Sequence, residues 1–260
     1  MSAAARWHDL APRVYSGIAM AVFGLFAVWM GGPLFALLSA AICGLMAWET
    51  ARMFRAGQAV GLGVLAGVVL LLAGWAPGVL ALPLLLAPGF VAAGQVPRDR
   101  LMLFGMTAWV MLASFALIWL RSEEGKLWLA WLIAVVIASD VMGYFAGRML
   151  GGPKFWPRLS PKKTWSGTVA GWALAAVIGA AFAGPLGADP WLIVVSVLVG
   201  FAGQMGDIFE SAVKRRQGVK DSSSLIPGHG GVFDRFDALL GASAVTLLLW
   251  ALGLLPGTGG

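Results

Sequence analysis

The residues best suited to chemistry lie between positions 206 and 237, in the run GDIFESAVKRRQGVKDSSSLIPGHGGVFDRFD. Four polar side chains recur there at intervals of three or four residues, which places them on one face of a helix: Asp207, Glu210, Ser211 and Lys214. Asp234 and Asp237 repeat the spacing of three after a polar loop. Two pairs of carboxylates, each at a helix end, indicate an oxygen-ligand site for Mg²⁺ that water and a substrate phosphate would complete.

A glycine-rich turn and a set of basic side chains accompany these acids. The turn is Pro227-Gly228-His229-Gly230-Gly231, and its glycines let a ligand approach the backbone N–H groups, as phosphate-binding loops do. His229 is a candidate hydrogen-bond donor to a phosphate or to a leaving pyrophosphate. The basic side chains that could neutralise a polyphosphate are Lys214, Arg215, Lys220 and Arg235.

Each of these features also has an ordinary structural explanation. Basic clusters beside membrane helices commonly set topology or contact anionic headgroups, and a glycine-rich segment between helices is commonly only a turn. An isolated histidine in a loop is more often solvated than catalytic, and an acid at a helix start often caps the helix. The concentration of all four features within residues 207–237 favours a functional site over separate structural roles.

Asp140 is a separate candidate, near the end of the apolar segment that closes with IASDVMGYFAGR. A carboxylate within a bilayer is costly, so a functional role or a partner is the expected reason for its presence. The alternative is a shallow interfacial acid paired with Arg148.

The elements that must position these residues are membrane helices. Hydrophobic residues make up 60% of the 260 and charged residues 12%, whereas a soluble domain carries about 25% charged residues. Apolar runs near the length of about 17–25 residues that crosses a bilayer recur along the chain. We predict an all-α polytopic integral membrane protein with about nine transmembrane helices. They are expected at residues 13–30, 33–51, 60–74, 77–93, 101–120, 127–147, 167–184, 190–212 and 236–255.

Basic residues give this map an orientation. Of the 18 Lys and Arg, all but Arg121 and Lys126 fall in the N-terminal segment or in alternate connections. The positive-inside rule then places the N-terminus in the cytoplasm, the C-terminus outside, and the active site on the cytoplasmic side. We expect residues 1–100 to form about four N-terminal membrane helices. We expect residues 101–260 to form a catalytic membrane domain of about five spans, with cytoplasmic loops at 148–166 and 213–235.

The same rule explains the net charge of +6 without a nucleic-acid partner. A transporter or channel is the alternative class of membrane protein. It would have polar residues near the midplane of several spans and internal repeats, whereas here the charges gather at one face and no repeat is apparent.

Four elements of the C-terminal half form a longer pattern. The first reads Ser211, Lys214-Arg215, Lys220-Asp221, Pro227, His229-Gly230-Gly231, Asp234-Arg235 and Asp237. The others are Gly206-Asp207 with Glu210-Ser211, the run SPKKT at 160–164, and Asp140 with Tyr144-Phe145 and Gly147-Arg148. In these elements the sequence resembles the phosphatidate cytidylyltransferase (CDP-diacylglycerol synthase) family. One departure is Ser166, where many members carry Glu, so a role for a carboxylate at that position is open.

The resemblance implies a nucleotidyl transfer in phospholipid biosynthesis, in which the phosphate of phosphatidic acid attacks the α-phosphorus of CTP. The products would be CDP-diacylglycerol and pyrophosphate. The implied catalytic residues are Asp207, Lys214, Asp234 and His229. The implied magnesium ligands are Asp207 and Asp234, supported by Asp237 and Glu210. The implied substrate-binding residues are Lys162, Lys163, Thr164, Ser211, Arg215, Lys220, Asp221, Gly230, Gly231 and Arg235. Asp140 and Tyr144 are additional candidates.

The expected partners are CTP, phosphatidic acid and membrane lipid, and the resemblance implies a homodimer. In a bacterium the location would be the cytoplasmic membrane. Whether a monovalent cation joins the magnesium is open. Because residue spacing does not identify a lipid tail, a related CTP-dependent enzyme acting on another lipid phosphate or alcohol is the alternative function.

Overall fold

The computed structural model describes residues 10–257, and between residues 10 and 21 it describes the side chains of 15 and 19 only. Within this part the chain forms nine α-helices, which are α1 (Leu10–Met30), α2 (Gly32–Met53), α3 (Ala59–Ala73), α4 (Gly78–Gly94), α5 (Arg100–Trp119), α6 (Lys126–Leu150), α7 (Trp165–Ala183), α8 (Trp191–Arg216) and α9 (Phe233–Ala251). A π-helical turn, Leu120–Glu124, extends α5. Two short strands, β1 (Lys154–Trp156) and β2 (Ser160–Thr164), lie between α6 and α7.

The helices match the predicted spans in position. Each of the nine predicted segments overlaps one helix of the described part, which confirms the all-α class. In that part, five helices are long and apolar enough to cross a bilayer: α2, α5 with its π-helical turn, α6, α7 and α8. Helices α3 and α4 are shorter, at 15 and 17 residues. A helical membrane protein is therefore supported, whereas nine spans and their orientation stay predictions. Arg6, which contributes to the predicted orientation, lies outside the described residues.

A β-hairpin stands in the middle of the segment predicted as the loop 148–166. Strand β1 pairs antiparallel with β2, with Lys154 opposite Thr164 and Trp156 opposite Ser160. The Thr164 hydroxyl accepts a hydrogen bond from the Gly167 N–H at 3.2 Å and so caps the start of α7. The hairpin thus fixes the basic residues of β2 relative to a membrane helix.

The chain divides into two compact units. Unit 1 comprises the described residues up to Met111 together with Gln217–Arg235. Unit 2 comprises Leu112–Arg216 and the described residues from Phe236 onward. The sequence predicts a catalytic domain that begins after residue 100. The two units do not test where catalysis occurs, so that division stays a prediction.

Helices of unit 2 approach each other closely at glycines. A Cβ atom added to Gly206 of α8 would lie 2.5 Å from the carbonyl oxygen of Asp237 of α9, so no larger residue fits without moving the backbone. Gly167 of α7 meets the backbone of Gly143 of α6 in the same way. Small residues at such crossings are typical of helix packing in membranes. Here they bring the backbone beside Asp207 into contact with that of Asp237.

Helices α2 and α3 of unit 1 also approach each other closely at glycines. A Cβ added to Gly44 would lie 2.8 Å from the Gly63 carbonyl oxygen, and one added to Gly63 would lie 2.7 Å from the Gly44 carbonyl oxygen. The contact fixes α2 upstream of its last turn, where Glu49 and Thr50 are both fully buried.

Candidate active site

The end of α8 carries the four polar residues predicted on one helical face. Lys214 Nζ lies 2.5 Å from Glu210 Oε2, and Ser211 Oγ lies 3.5 Å from Asp207 Oδ1. Each pair joins residues one helical turn apart, as the spacing requires. The predicted helical placement of these residues in unit 2 is therefore confirmed.

The ion pair between Glu210 and Lys214 is buried. Glu210 is 0% exposed and Lys214 is 8% exposed. Removing either partner would leave an uncompensated charge in a poorly hydrated environment, so the pair holds the Lys214 ammonium in a fixed place. The predicted roles of these residues, metal support for Glu210 and phosphate chemistry for Lys214, stay predictions.

Lys163 of β2 reaches α8. Its Nζ lies 2.5 Å from Asp207 Oδ2 and donates a hydrogen bond to the Gln204 carbonyl oxygen at 3.1 Å. The side-chain oxygen of Gln204 accepts a hydrogen bond from Trp172 Nε1 at 3.2 Å, which links α8 to α7 beside Lys163. A residue of the hairpin and a residue of α8, both predicted as site residues, therefore meet in unit 2.

Three carboxylates from three helices form an acidic cluster in unit 2, defined as Asp140, Asp207 and Asp237. Each of the three interacts electrostatically with the other two. Lys163 acts on Asp140, and Lys214 acts on Asp237. Like charges that act on one another in this way repel unless a cation offsets them. Asp140, a separate candidate in the sequence, thus belongs to the same group of charges as Asp207.

The charges of this group suit a divalent cation. The acidic cluster and Glu210 carry four formal negative charges, and Lys163 and Lys214 carry two positive ones. In the described part of the chain no three His, Cys, Asp or Glu side chains converge closely enough to enclose a metal ion by themselves. Mg²⁺ commonly takes only one or two carboxylates and completes its shell with water and substrate phosphate, so the residues present fit such an ion.

Asp234 lies in unit 1, in the first turn of α9, and its carboxylate organises the preceding loop. Its Oδ2 accepts hydrogen bonds from the Gly231 N–H at 2.7 Å, the Ser222 N–H at 2.9 Å and the Ser222 hydroxyl at 3.0 Å. The side chain is 9% exposed. The ordinary explanation for an acid at a helix start, a local structural role, therefore applies here, and metal binding by Asp234 stays a prediction.

The glycine-rich turn is closed by backbone hydrogen bonds within residues 226–230. Ile226 N–H donates to the Gly230 carbonyl at 2.8 Å, and His229 N–H donates to the Ile226 carbonyl at 2.9 Å. Gly230 has φ +85°, and a Cβ there would lie 2.7 Å from Asp234 Oδ2. The Gly231 N–H is directed to Asp234, whereas a phosphate-binding loop would direct it to the ligand. Phosphate binding by this turn and proton donation by His229 stay predictions.

Most of the predicted basic substrate-binding residues are exposed. The exposed members of the predicted set, with one acid among them, are Lys162, Arg215, Lys220, Asp221 and Arg235. Exposed side chains of this kind can reach a soluble nucleotide without a change of fold. Their positions are compatible with the predicted role and do not test it.

Thr164 and Ser166 form hydrogen bonds at the base of the hairpin. Thr164 is 4% exposed, and its hydroxyl lies 3.0 Å from the Ser166 hydroxyl. Ser166 Oγ donates to the Gly151 carbonyl at 2.5 Å, which ties the start of α7 to the end of α6. Ser166, the departure that the resemblance pointed out, thus closes the hairpin in this chain.

Tyr144 accepts a hydrogen bond from Arg148 Nη1 at 2.7 Å, one turn along α6. Both side chains are exposed. Arg148 therefore faces Tyr144, while Asp140 interacts with Lys163 and Asp207. The pairing of Asp140 with Arg148, which was the alternative for this acid, is not the arrangement found.

Glu49 is a further candidate residue, which the sequence patterns did not indicate. It lies inside the second predicted span and is completely buried, with hydrogen bonds from four donors in residues 222–233. The signal that could have found it is the one applied to Asp140, namely an ionisable residue in an apolar membrane segment.

The fold and the acidic cluster define a polytopic helical membrane protein whose unit 2 brings carboxylates of three helices together with lysines of α8 and β2. The chain belongs to the cytidylyltransferase family, whose sequence model matches residues 11–252. It is accordingly a nucleotidyltransferase.

Named relatives agree with this membership. The chain is 36% identical over 269 residues to the phosphatidate cytidylyltransferase of Brucella abortus biovar 1 (strain 9-941), a match that covers 94% of both chains. It is 40% identical over 141 residues to the phosphatidate cytidylyltransferase of Helicobacter pylori (strain ATCC 700392 / 26695), covering 53% of each. The enzyme of that name from Mycobacterium bovis is 37% identical over 156 residues, 58% of this chain and 50% of the relative.

Proposed function

We propose that this chain transfers the cytidylyl group of CTP to phosphatidic acid, forming CDP-diacylglycerol and pyrophosphate. The observation that carries the proposal is the 36% identity over 94% of both chains to a protein named phosphatidate cytidylyltransferase. The four sequence elements of the C-terminal half support it.

The reaction requires positioning and charge compensation more than covalent chemistry from the protein. A phosphate oxygen of phosphatidic acid forms a bond to the α-phosphorus of CTP, and the bond from that phosphorus to the bridging oxygen of the β-phosphate breaks. Negative charge then accumulates on the departing pyrophosphate. Lys163 and Lys214, which are fixed by Asp207 and Glu210, are suited to stabilise that charge because they are held in place before substrate binds.

We also propose that Asp207, Asp234, Asp237 and Glu210 would hold Mg²⁺. The excess of negative formal charge around Asp207 and Asp237 supports it. When bound, the ion would offset charge on the phosphates of CTP. The exposed basic residues Arg215, Lys220 and Arg235, with Lys162, would bind the triphosphate or the lipid phosphate.

Substrate profiling tests the proposal against its alternative. Purified protein is given CTP with phosphatidic acid, with an ether-linked lipid phosphate, or with an isoprenoid alcohol, and the released nucleotide product is identified. We expect pyrophosphate release with phosphatidic acid above the other lipids. CDP release with the alcohol would identify a kinase, and preference for another lipid phosphate would identify a related cytidylyltransferase.

We further propose that all nine helices cross the bilayer, with the N-terminus and the site on the cytoplasmic side. Thiol labelling in intact cells tests this, because the single native cysteine, Cys43, is fully buried. We expect a membrane-impermeant maleimide to label Ser122→Cys from outside, and Arg158→Cys only after the cells are opened. The reverse pattern would contradict the orientation.

A homodimer is the assembly that the family resemblance implies, and we propose it for this chain. Native mass spectrometry of the detergent-purified protein would show a species of twice the 27.2 kDa chain mass if the proposal holds. A monomer alone, from an active preparation, would contradict it.

A further inference from the structure

Glu49 stands in the last turns of α2, which is among the helices long and apolar enough to cross a membrane. Its side chain is 0% exposed. Burying an ionised carboxylate away from water is costly unless hydrogen bonds or a counter-charge compensate it. Within the described residues no Lys or Arg forms an ion pair with Glu49, so hydrogen bonds must supply that compensation.

Those hydrogen bonds come from one segment of unit 1, residues 222–233. Glu49 Oε1 accepts from the Ser223 hydroxyl at 2.5 Å and from the Val232 N–H at 2.9 Å. Glu49 Oε2 accepts from the Phe233 N–H at 2.7 Å and lies 3.1 Å from the Ser222 hydroxyl, whose one hydrogen it shares with Asp234 Oδ2. Each oxygen thus accepts from one hydroxyl and one backbone N–H, and both ends of the segment 222–233 are tied to a single side chain.

The two backbone donors stand where α9 begins. The first N–H groups of a helix have no partner within the helix, and negative charge near them is favoured by the helix dipole. Val232 precedes the helix and Phe233 opens it. A carboxylate of α2 therefore accepts the hydrogen bonds of the N–H groups at the start of α9. In most helices a residue at the start of the same helix provides this acceptor.

Glu49 also connects to Asp234. The Ser222 hydroxyl lies 3.1 Å from Glu49 Oε2 and 3.0 Å from Asp234 Oδ2. Gly231 packs against both acids: a Cβ there would lie 2.5 Å from Glu49 Oε1, and its N–H donates to Asp234. The loop that contains the glycine-rich turn is thus held between two carboxylates of unit 1.

We propose that Glu49 is a positioning residue for the reaction, which fixes residues 222–233 and the first turn of α9 in the geometry that substrate binding requires. The inference rests on the proposed function, because the loop holds the predicted site residues His229 and Asp234. Glu49 does not need to touch a substrate for this role. It acts through Ser222, Ser223 and the two N–H groups.

The test is Glu49→Gln in the full chain, which keeps size and shape. An amide has one accepting oxygen, so its NH₂ group would face one of the two backbone N–H groups and that hydrogen bond would be lost, whereas the serine hydroxyl on the same side can accept from the NH₂. We expect kcat/KM to fall about 10- to 100-fold, the usual effect of losing a residue that orients site residues. We also expect hydrogen–deuterium exchange at Val232 and Phe233 to rise by about tenfold or more, while most other amides are unchanged.

Thr50→Ala is the matched control. Thr50 is the next residue of α2 and is equally buried, but its hydroxyl donates only to the Met46 carbonyl of the same helix, at 2.8 Å. It should leave kcat/KM and the exchange of the loop unchanged. If Glu49→Gln does not fold, Ser223→Ala removes one donor and keeps the charge. A fall of about two- to tenfold in kcat/KM with faster exchange in the loop is then expected.

Two results would overturn the inference. One is wild-type kcat/KM together with wild-type exchange at residues 232 and 233 in Glu49→Gln. The other is a lowered melting temperature with unchanged activity per folded molecule, which would make Glu49 a structural residue only. If the wild-type protein has no cytidylyltransferase activity, the proposed function fails, and the exchange comparison still reports whether Glu49 holds the loop.

Discussion

Asp207→Asn is expected to lower turnover by about 10²- to 10³-fold while the protein still folds and inserts into the membrane. Asparagine keeps the size of the side chain and can keep the contact with Ser211. It removes the charge that pairs with Lys163 at 2.5 Å and that belongs to the acidic cluster. Initial rates at saturating CTP and phosphatidic acid, with size-exclusion profiles of both proteins, measure the effect.

Asp189→Asn provides a control near the other end of α8. Asp189 is exposed, and its Oδ1 accepts a hydrogen bond from the Trp191 N–H at 2.7 Å. Asparagine caps a helix about as well as aspartate, so this variant should keep both activity and stability. Equal activities of Asp207→Asn and Asp189→Asn would show that the charge of Asp207 is not needed for catalysis.

Asp234→Asn is expected to lose activity by a similar factor, about 10²-fold, with little change in melting temperature. Asparagine can present its oxygen to the same three donors, from Gly231 and Ser222, so the loop should keep its conformation. The negative charge disappears. Activity per folded molecule and the melting temperature together separate the chemical role from the structural one.

Asp234→Ala is the comparison for this prediction. Alanine leaves buried N–H donors without a partner, which costs about 1–3 kcal/mol for each unsatisfied group, so the melting temperature should fall. If Asp234→Asn is nearly as active as wild type while Asp234→Ala is inactive, Asp234 only holds the loop. Near-normal activity of both Asp207→Asn and Asp234→Asn would contradict the magnesium assignment.

Local patterns in the sequence predicted the local structure of this protein. Apolar runs between Gly and Pro residues located every helix of the described part, because the length and polarity of a segment determine whether it can form a membrane helix. The spacing of Asp207, Glu210, Ser211 and Lys214 predicted their pairing, since residues one turn apart on a helix are neighbours. The family resemblance, which depends on such spacings, was also confirmed.

Tertiary contacts were not predictable in the same way. The interaction of Asp140 with Asp207 was not predicted, because nothing in the spacing of residues 67 positions apart indicates that they meet. The partners of Glu49 could not be predicted because its donors lie more than 170 positions later in the chain. The hairpin of residues 154–164 was missed because two strands of three and five residues, rich in Lys and Pro, carry no alternation of apolar and polar side chains.

The measurement that tests the central claim most directly follows labelled CTP into chloroform-extractable lipid. Purified protein is incubated with CTP, phosphatidic acid and Mg²⁺, with and without EDTA, and the lipid product and pyrophosphate are quantified. The proposed function predicts CDP-diacylglycerol and pyrophosphate in equal amounts, and loss of both when EDTA is present. No labelled lipid from a folded preparation offered several lipid phosphates would contradict it.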